Sequence, residues 1–556
     1  MWQSRYFLHR TIRSLRCANW PLSWVFDGFR LPVRTRSSAV AVIRATVAGN
    51  TSVRKRIVGT TASDAGPGRS STGRPSPVPQ EPGPSHGREQ HVPQSRPVGP
   101  FAGGPPAEAL TVHSEPLERF RLAEISRALV IAVAVVVHTL WALLTWAVRP
   151  RGRRAVDVAC EGIVNGFEAL GPTFVKLGQL MASSSGVFPA PLANACLRCL
   201  DDVPPVSAEK ARRVVEEDLG YPVDELFDEF DDRPLAAASV AQVHACTLPD
   251  GRKAVLKVQR PDIFRRMVVD LRTAYWGARH LERLEFFRIA NATAIIRDLH
   301  AATMTELNSA VEADRQARFR ENIGAFGDNK GVTTPEIYWD YCGPHVICME
   351  RMYGIPLDRF DDLHHLDTRM LIRRGVKVWI EAVLLHGPFH GDVHAGNLWV
   401  LEDGRMTLLD FGIVGELPEE WRLILRSLFY ATLIDGDFAK VAQGIRALGY
   451  AVDHKATDEE IGRQVAFALT PILTRDLGEL KISDLIGALV AIGKKWGVAS
   501  PEEMVLFGKQ LGYFERYATQ LAPGWILGQD LYLFRNVFPD EVAAKAAERG
   551  EVLPAD

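Results

Sequence analysis

Cysteine is scarce and scattered: seven in 556 residues, at Cys17, Cys160, Cys196, Cys199, Cys246, Cys342 and Cys348. An odd, irregular set suits a reducing compartment better than a disulfide framework. Cys196 and Cys199 form one C-x-x-C with no second pair nearby, and zinc needs four ligands. The pair reads instead as two buried thiols on a helix. Net charge is lacking too, since 65 Lys and Arg nearly cancel 67 Asp and Glu to leave −2. No global field therefore calls for nucleic acid or an acidic substrate. Internal repeats are absent, and so is a Walker-type loop. Gly487 to Lys494 puts five residues between its glycines and lacks the Ser or Thr that such a loop requires.

Core material is not lacking, with 47% hydrophobic and 24% charged residues in a chain long enough for several domains. Its distribution is uneven. Residues 1–60 carry eleven Lys or Arg against one acid, Asp27. This basic segment has the composition of an organelle transit peptide, or of a non-native start translated from a GC-rich gene, and both readings stay open. Residues 61–114 are rich in Pro, Gly and Ser, as in Gly73-Arg74-Pro75-Ser76-Pro77-Val78-Pro79. They bury too little apolar surface to offset ordering entropy, so a disordered linker is expected. Residues 115–154 are read as a membrane-associated helix: Ala128 to Val148 is apolar apart from His138, Thr139 and Thr145. At ~1.5 Å per residue, about 20 residues cross a ~30 Å hydrocarbon core, so a transmembrane helix is expected. Arg149, Arg151, Arg153 and Arg154 favour a cytoplasmic placing of the downstream chain, although Arg119, Arg121 and Arg127 precede the run. The alternative is a buried or interfacial helix.

From 155 to 232 the pattern is helical. The period then changes: Val240 to Cys246 and Lys253 to Val258 flank the turn Pro249-Asp250-Gly251, a β-hairpin signature. Residues 262–325 return to helix, and Val346 to Met349 reads as a strand ending at Glu350. Past 365 helical periodicity dominates, broken by short strands around Leu398 to Leu409. The class is α+β: a bilobal kinase-like fold with a helical extension at 155–232, an N-lobe at 233–355 and a C-lobe at 356–545. In such a fold Glu350 falls where the hinge meets adenine.

The strongest constellation is Phe389-His390-Gly391-Asp392-Val393-His394-Ala395-Gly396-Asn397, followed by Leu408-Leu409-Asp410-Phe411-Gly412. Phosphoryl transfer needs charge placement more than covalent chemistry. Asp392 is the candidate to orient or deprotonate the acceptor; Asn397 and Asp410 offer oxygen ligands to Mg²⁺. Lys257, alone among apolar neighbours in Ala254-Val255-Leu256-Lys257-Val258, is the candidate grip on the nucleotide phosphates. Its expected partner is a carboxylate on a helix spanning Thr303 to Phe319. Glu306 and Glu312 would point about 120° apart on one continuous helix, so only one can face Lys257, and Glu306 is chosen. Where a glycine-rich phosphate loop should stand, the chain reads Ala236-Ala237-Ala238-Ser239. Alanine closes off positive φ and holds backbone N–H groups further from phosphate.

These segments, with Lys176-Leu177-Gly178-Gln179 and Lys257-Val258-Gln259-Arg260-Pro261, resemble the UbiB/ADCK (AarF-like) family of atypical protein kinase-like proteins. The resemblance runs from about 155 to 540. It implies ATP or ADP with Mg²⁺ as cofactors, and a K-x-G-Q helix folded over the nucleotide cleft. Lys176 and Gln179 would reach the cleft, with Lys176 pairing with Glu312 as an occluding contact. It also implies action at a membrane in quinone or isoprenoid-lipid metabolism, with a lipid or quinone intermediate as partner and a possible homodimer or lipid-biosynthesis protein partner. A bacterial plasma membrane with a cytoplasmic kinase-like domain is the expected location, and a mitochondrial inner membrane the alternative. The chain departs from the family where E-x-D reads Glu306-Leu307-Asn308 and where the loop after His390 lacks two prolines.

Two other readings compete. A small-molecule phosphotransferase of the aminoglycoside or choline kinase type shares His390-Gly391-Asp392 and Asn397, but would not carry the K-x-G-Q preface. A non-catalytic nucleotide-binding membrane scaffold would use the alanine loop as a disabling device.

Overall fold

The computed structural model describes residues 97–556 apart from short stretches, chiefly 149–151, 184–187, 201–204, 286–287, 289–290, 448–455 and most of 475–502. The basic segment 1–60, the linker as far as residue 96, and most of Gly487 to Lys494 lie outside the described residues.

Hydrophobic periodicity that switches from helix to strand builds the small lobe. Strands β1 (Glu229–Phe230), β2 (Ala236–Ala237), β3 (Ala241–Thr247) and β4 (Lys253–Gln259) precede a helical excursion, and β6 (Val346–Glu350) closes the sheet after β5 (Val332–Thr333). The order is β1-β3-β4-β6 with β2 on β3, all antiparallel. The expected hairpin is present: Gly251 takes φ +84° in the turn, and Val243 faces Lys257 across β3 and β4. Leu248, Leu256 and Cys348 pack from this sheet against Val215 and Leu219 of helix Ala208–Leu219.

The chain passes from β6 in this sheet to β7 (Gly354–Pro356), which pairs with β9 (Leu398–Leu401) in the large lobe. Residues 351–353 are thus the hinge between two sheets, and Glu350 stands at its start. In the large lobe β8 (Pro388–His390) pairs with β11 (Val414–Glu416), and β10 (Met406–Leu408) runs beside β9 and β5. Trp379 of helix Thr368–Glu381 is fully buried among the rings of Phe389, Phe507 and Phe514, at 5.7, 5.4 and 5.2 Å. Its indole Nε1–H donates to His390 O at 3.0 Å, so the core residue also fixes the start of the candidate loop.

Two expectations change at the N-terminal side. Residues 97–114, assigned to the linker, lie on the small lobe: Gly99 N–H donates to Asp340 O (2.7 Å), Phe101 is buried, and Ala109 O accepts from Asn308. Apolar Phe101 and backbone pairing outweigh the local Pro and Gly content. The apolar run forms helix α1 (Leu122–Val148), longer than the Ala128–Val148 stretch. It packs along α2 (Ala155–Leu170), where Gly162 and Gly166 leave no room for side chains: a Cβ would fall 2.6 Å from Thr139 Cα and 3.0 Å from Val135 Cα. The N-terminal end of α1 is keyed into the body by Arg127, whose Nε meets Asp270 Oδ1 at 2.5 Å while Thr173 holds Oδ2 at 2.8 Å. The outward face carries Leu129, Val133, Val136, Leu140 and Leu144, each more than half exposed.

The C-terminal segment is tied down by charge. Lys377, fully buried, meets Asp328 at 3.1 Å and Glu381 at 3.0 Å, while Asn536 donates to both carboxylates. Removing one partner of a buried ion pair strands the rest, so Lys377→Met should cost about 3–5 kcal/mol in chemical denaturation. Near-wild-type stability would show that the carboxylates protonate or rehydrate without loss.

Candidate functional site

The site is assembled by a broken helix. The segment expected to be one helix from Thr303 to Phe319 is two, named α4 (Ala292–Glu306) and α5 (Ser309–Gly324) after the K-x-G-Q helix α3 (Pro172–Ser183). Asn308 takes an extended conformation and caps α5, its side-chain oxygen accepting from Val311 N at 3.1 Å. Asn is a strong N-cap and stops the incoming helix at the same point. Its amide also donates to Ala109 O at 2.9 Å, a role an Asp could not fill. The break overturns the argument that only one of Glu306 and Glu312 can face the cleft.

Glu312, not Glu306, pairs with Lys257: Nζ lies 2.5 Å from Glu312 Oε1 and 3.2 Å from Asp410 Oδ2. Lys176 pairs with Glu306 rather than with Glu312. The two cations therefore take one helix-borne carboxylate each. Burial opposes charge on Lys257, but Asp410 and Glu312 outweigh it and hold the amine above the ordinary lysine range. Asp410 is half exposed, and the desolvation that still opposes its charge is outweighed by Lys257 and the Gly412 N–H, which bring its carboxyl down to about 2. For Lys176 burial dominates and pulls the amine down to about 8, against Asp410 and Asp392.

Lys176 and Gln179 both lie on α3. Gln179 Nε2 donates to Cys199 O at 2.9 Å, which ties α3 to the neighbouring turn. Gly178 explains the close seat: a Cβ there would stand 2.6 Å from Cys199 Sγ. Cys196 and Cys199 are buried and pack beneath α3, and no metal-binding cluster exists among the described residues.

On the large-lobe side, His390 is buried and neutral, its Nε2 meeting Leu409 O at 2.9 Å and its Nδ1 taking the Asp392 N–H at 3.1 Å. The Phe411 ring lies 4.8 Å from His390, edge to face, and 5.1 Å from the tilted ring of Phe319 of α5, a run of ring contacts that ties the loop, the Asp410 strand end and the helix bearing Glu312. Asp410 holds φ +55°, a costly conformation for a non-glycine residue, and Gly412 N–H bonds back to its Oδ1. Asn397 spends its amide N–H on Asp392 O at 3.0 Å, which leaves its oxygen as the side chain's acceptor. One carboxylate and one amide oxygen make a hard donor set that suits Mg²⁺.

Ala236 and Ala237 pair with β3, and Ala238 N–H donates to Ala241 O at 2.8 Å, so the alanine segment is a tight hairpin turning at Ser239 and Val240. No residue in it has positive φ, and Ser239 is buried. The Glu350 carboxylate accepts from Glu336 N at 3.2 Å, beside the hinge. Two contributors had no sequence signal. Arg315, one turn after Glu312, donates to Gly412 O at 3.3 Å, and Lys509, from helix Glu503–Leu521, donates to Asp392 Oδ1 at 3.1 Å.

A lysine shared by two carboxylates, an Asp loop and a helical cover over a two-lobed cleft define a kinase-like site. Comparison with known proteins agrees. Residues 198–445 match the ABC1 atypical kinase-like domain and residues 465–525 the UbiB helical domain. An uncharacterised protein of Mycobacterium tuberculosis is 34% identical over 407 residues, covering 72% of this chain and 83% of that one. A probable protein kinase UbiB of Erwinia tasmaniensis is 34% identical over 393 residues, 69% and 71% of the two chains. An aarF domain-containing protein kinase of the Arabidopsis thaliana chloroplast is 32% identical over 393 residues, 66% and 72%. The chain belongs to the UbiB family of ABC1 atypical kinase-like proteins.

The exchanged pairing has a direct readout. Glu306→Ala should raise amide hydrogen exchange across α3, whereas Glu312→Ala should leave α3 protected. Equal effects would dissolve the distinction between the two carboxylates.

Proposed function

We propose that the chain is a Mg²⁺-dependent ATP-using enzyme, an atypical phosphotransferase or ATPase, acting at a membrane in support of quinone or isoprenoid-lipid metabolism. The observation that carries this reading is the convergence of Lys257 on Glu312 and Asp410, with its amine 2.5 and 3.2 Å from the two carboxylates. Lys257, oriented by Glu312, would grip the nucleotide phosphates. Asp410 and Asn397 would hold Mg²⁺, which when bound neutralises charge on those phosphates. Asp392 would orient a hydroxyl acceptor or water and take its proton as the oxygen attacks the terminal phosphorus, releasing ADP. Adenine would meet the backbone beside Glu350, and the Ala236–Ser239 hairpin would cover the phosphates less closely than glycines do. The Lys176–Glu306 pair is the occluding contact, and its release would open the cleft.

The membrane side of the reading rests on α1. It is the one described helix long and apolar enough to cross a bilayer, and its exposed stripe carries no charge between Arg127 and Arg149. We place it at a bacterial plasma membrane with the kinase-like lobes in the cytoplasm. The K-x-G-Q helix, with Lys176 paired to Glu306, favours this over an aminoglycoside-type kinase.

Purified protein should hydrolyse ATP slowly with Mg²⁺, faster with lipid vesicles, and Asp410→Asn should abolish turnover. Metal-dependent nucleotide binding with no turnover, with or without vesicles, would support a non-catalytic scaffold instead.

A further inference from the structure

The loop that carries Asp392 has no strong cation of its own. From His390 to Asn397 its polar side chains are His390, Asp392, His394 and Asn397, with no Lys or Arg. Phosphoryl transfer spreads negative charge over the moving group and the attacking oxygen, and a fixed cation beside the base is worth most where water is sparse. The nearest ammonium comes from far along the chain. Lys509 Nζ lies 3.1 Å from Asp392 Oδ1, across 117 residues of sequence. That ammonium is 5.7 Å from the Tyr513 ring, one turn along the same helix.

We propose that Lys509 is a positioning residue for Asp392, and that the helical domain at 465–525 thereby completes the kinase-like site rather than merely packing beside it. This rests on the reading that Asp392 orients the acceptor. The helix Glu503–Leu521 is built to hold that loop. Gln510, fully buried, accepts the Val393 N–H at 2.9 Å, and Tyr517 OH donates to Val393 O at 3.1 Å. Both polar groups of the residue after Asp392 are thus taken by one helix face, at positions seven apart. The residue before Asp392 is equally constrained. A Cβ on Gly391 would fall 2.8 Å from Leu506 Cδ2, so the glycine makes room for the helix.

Held this way, Lys509 engages one oxygen of Asp392 and fixes its rotamer. The other oxygen, Oδ2, keeps only a looser contact with His394 Nε2 at 3.5 Å. Oδ2 is the oxygen left to meet an acceptor hydroxyl or water. Lys509 is itself part-exposed, so it adds little to folding and its loss acts on the site.

The test uses the full chain in two measurements. In steady-state ATP turnover, Lys509→Met should lower kcat about tenfold to a hundredfold with the KM for ATP nearly unchanged, and Lys509→Arg should recover most of it. In an Asp392→Asn background the same substitution should have no further effect, because its action passes through Asp392. In equilibrium binding, Lys509→Met should weaken ADP·Mg with aluminium fluoride, a mimic of the moving phosphoryl group, while leaving ADP·Mg alone unchanged. A loss shared equally by both ligands, or an undiminished effect in the Asp392→Asn background, would overturn the proposal. Wild-type protein that binds the mimic yet never turns over would count against the phosphotransferase reading, and the mimic titration would still decide the role of Lys509. Gly391→Ala, which presses on Leu506, should reproduce the Lys509→Met pattern if the seating of the helix is what brings the lysine in.

Discussion

Lys257 between Glu312 and Asp410 is the contact on which the rest of the molecule depends. An ammonium in an enclosed cleft is costly unless compensated, and here two carboxylates from different lobes compensate it. One carboxylate rides on α5, packed on the small-lobe sheet; the other stands at the end of a large-lobe strand. The cluster therefore links the two lobes as well as setting the charge pattern of the site. The Phe319–Phe411–His390 ring contacts run beside it and give the same connection an apolar backing.

The Lys176–Glu306 pair repeats this chemistry one layer out. It hangs the K-x-G-Q helix from the end of α4, and the two acid-bearing helices meet at Asn308. Behind α3 stand the C-x-x-C turn and the α1–α2 hairpin, whose apolar cluster includes Leu177 and Met181 beside Phe167 and Phe174. A displacement of α1 would thus bear directly on the helix that carries Lys176. The physical chain from an apolar outer face to the cleft is short.

Much of this architecture was legible in the chain. The order of lobes, the Lys257 hairpin, the Asp392–Asn397 loop and Asp410 follow from local periodicity and from spacings that chemistry constrains. The carboxylate partners were not, because helical geometry was extended through a capping residue. Asn308 carries a strong start signal for α5, and reading it as a cap would have freed both acids to face the cleft. The packing of residues 97–114 escaped because composition speaks only for a segment alone, while Phe101 finds its partners some 240 residues later at Cys342. Lys509 escaped for the same reason: its contact with Asp392 lies at a sequence separation that no periodicity encodes.

The measurement that tests the account most directly is Mg²⁺-dependent nucleotide affinity in two matched variants, Glu312→Gln and Glu306→Gln. The account predicts a loss of about tenfold or more for Glu312→Gln, since Lys257 then loses its orienting charge, and undiminished affinity for Glu306→Gln. A loss confined to Glu306→Gln would contradict it, and would return the phosphate-gripping lysine to the partner chosen for it from the sequence.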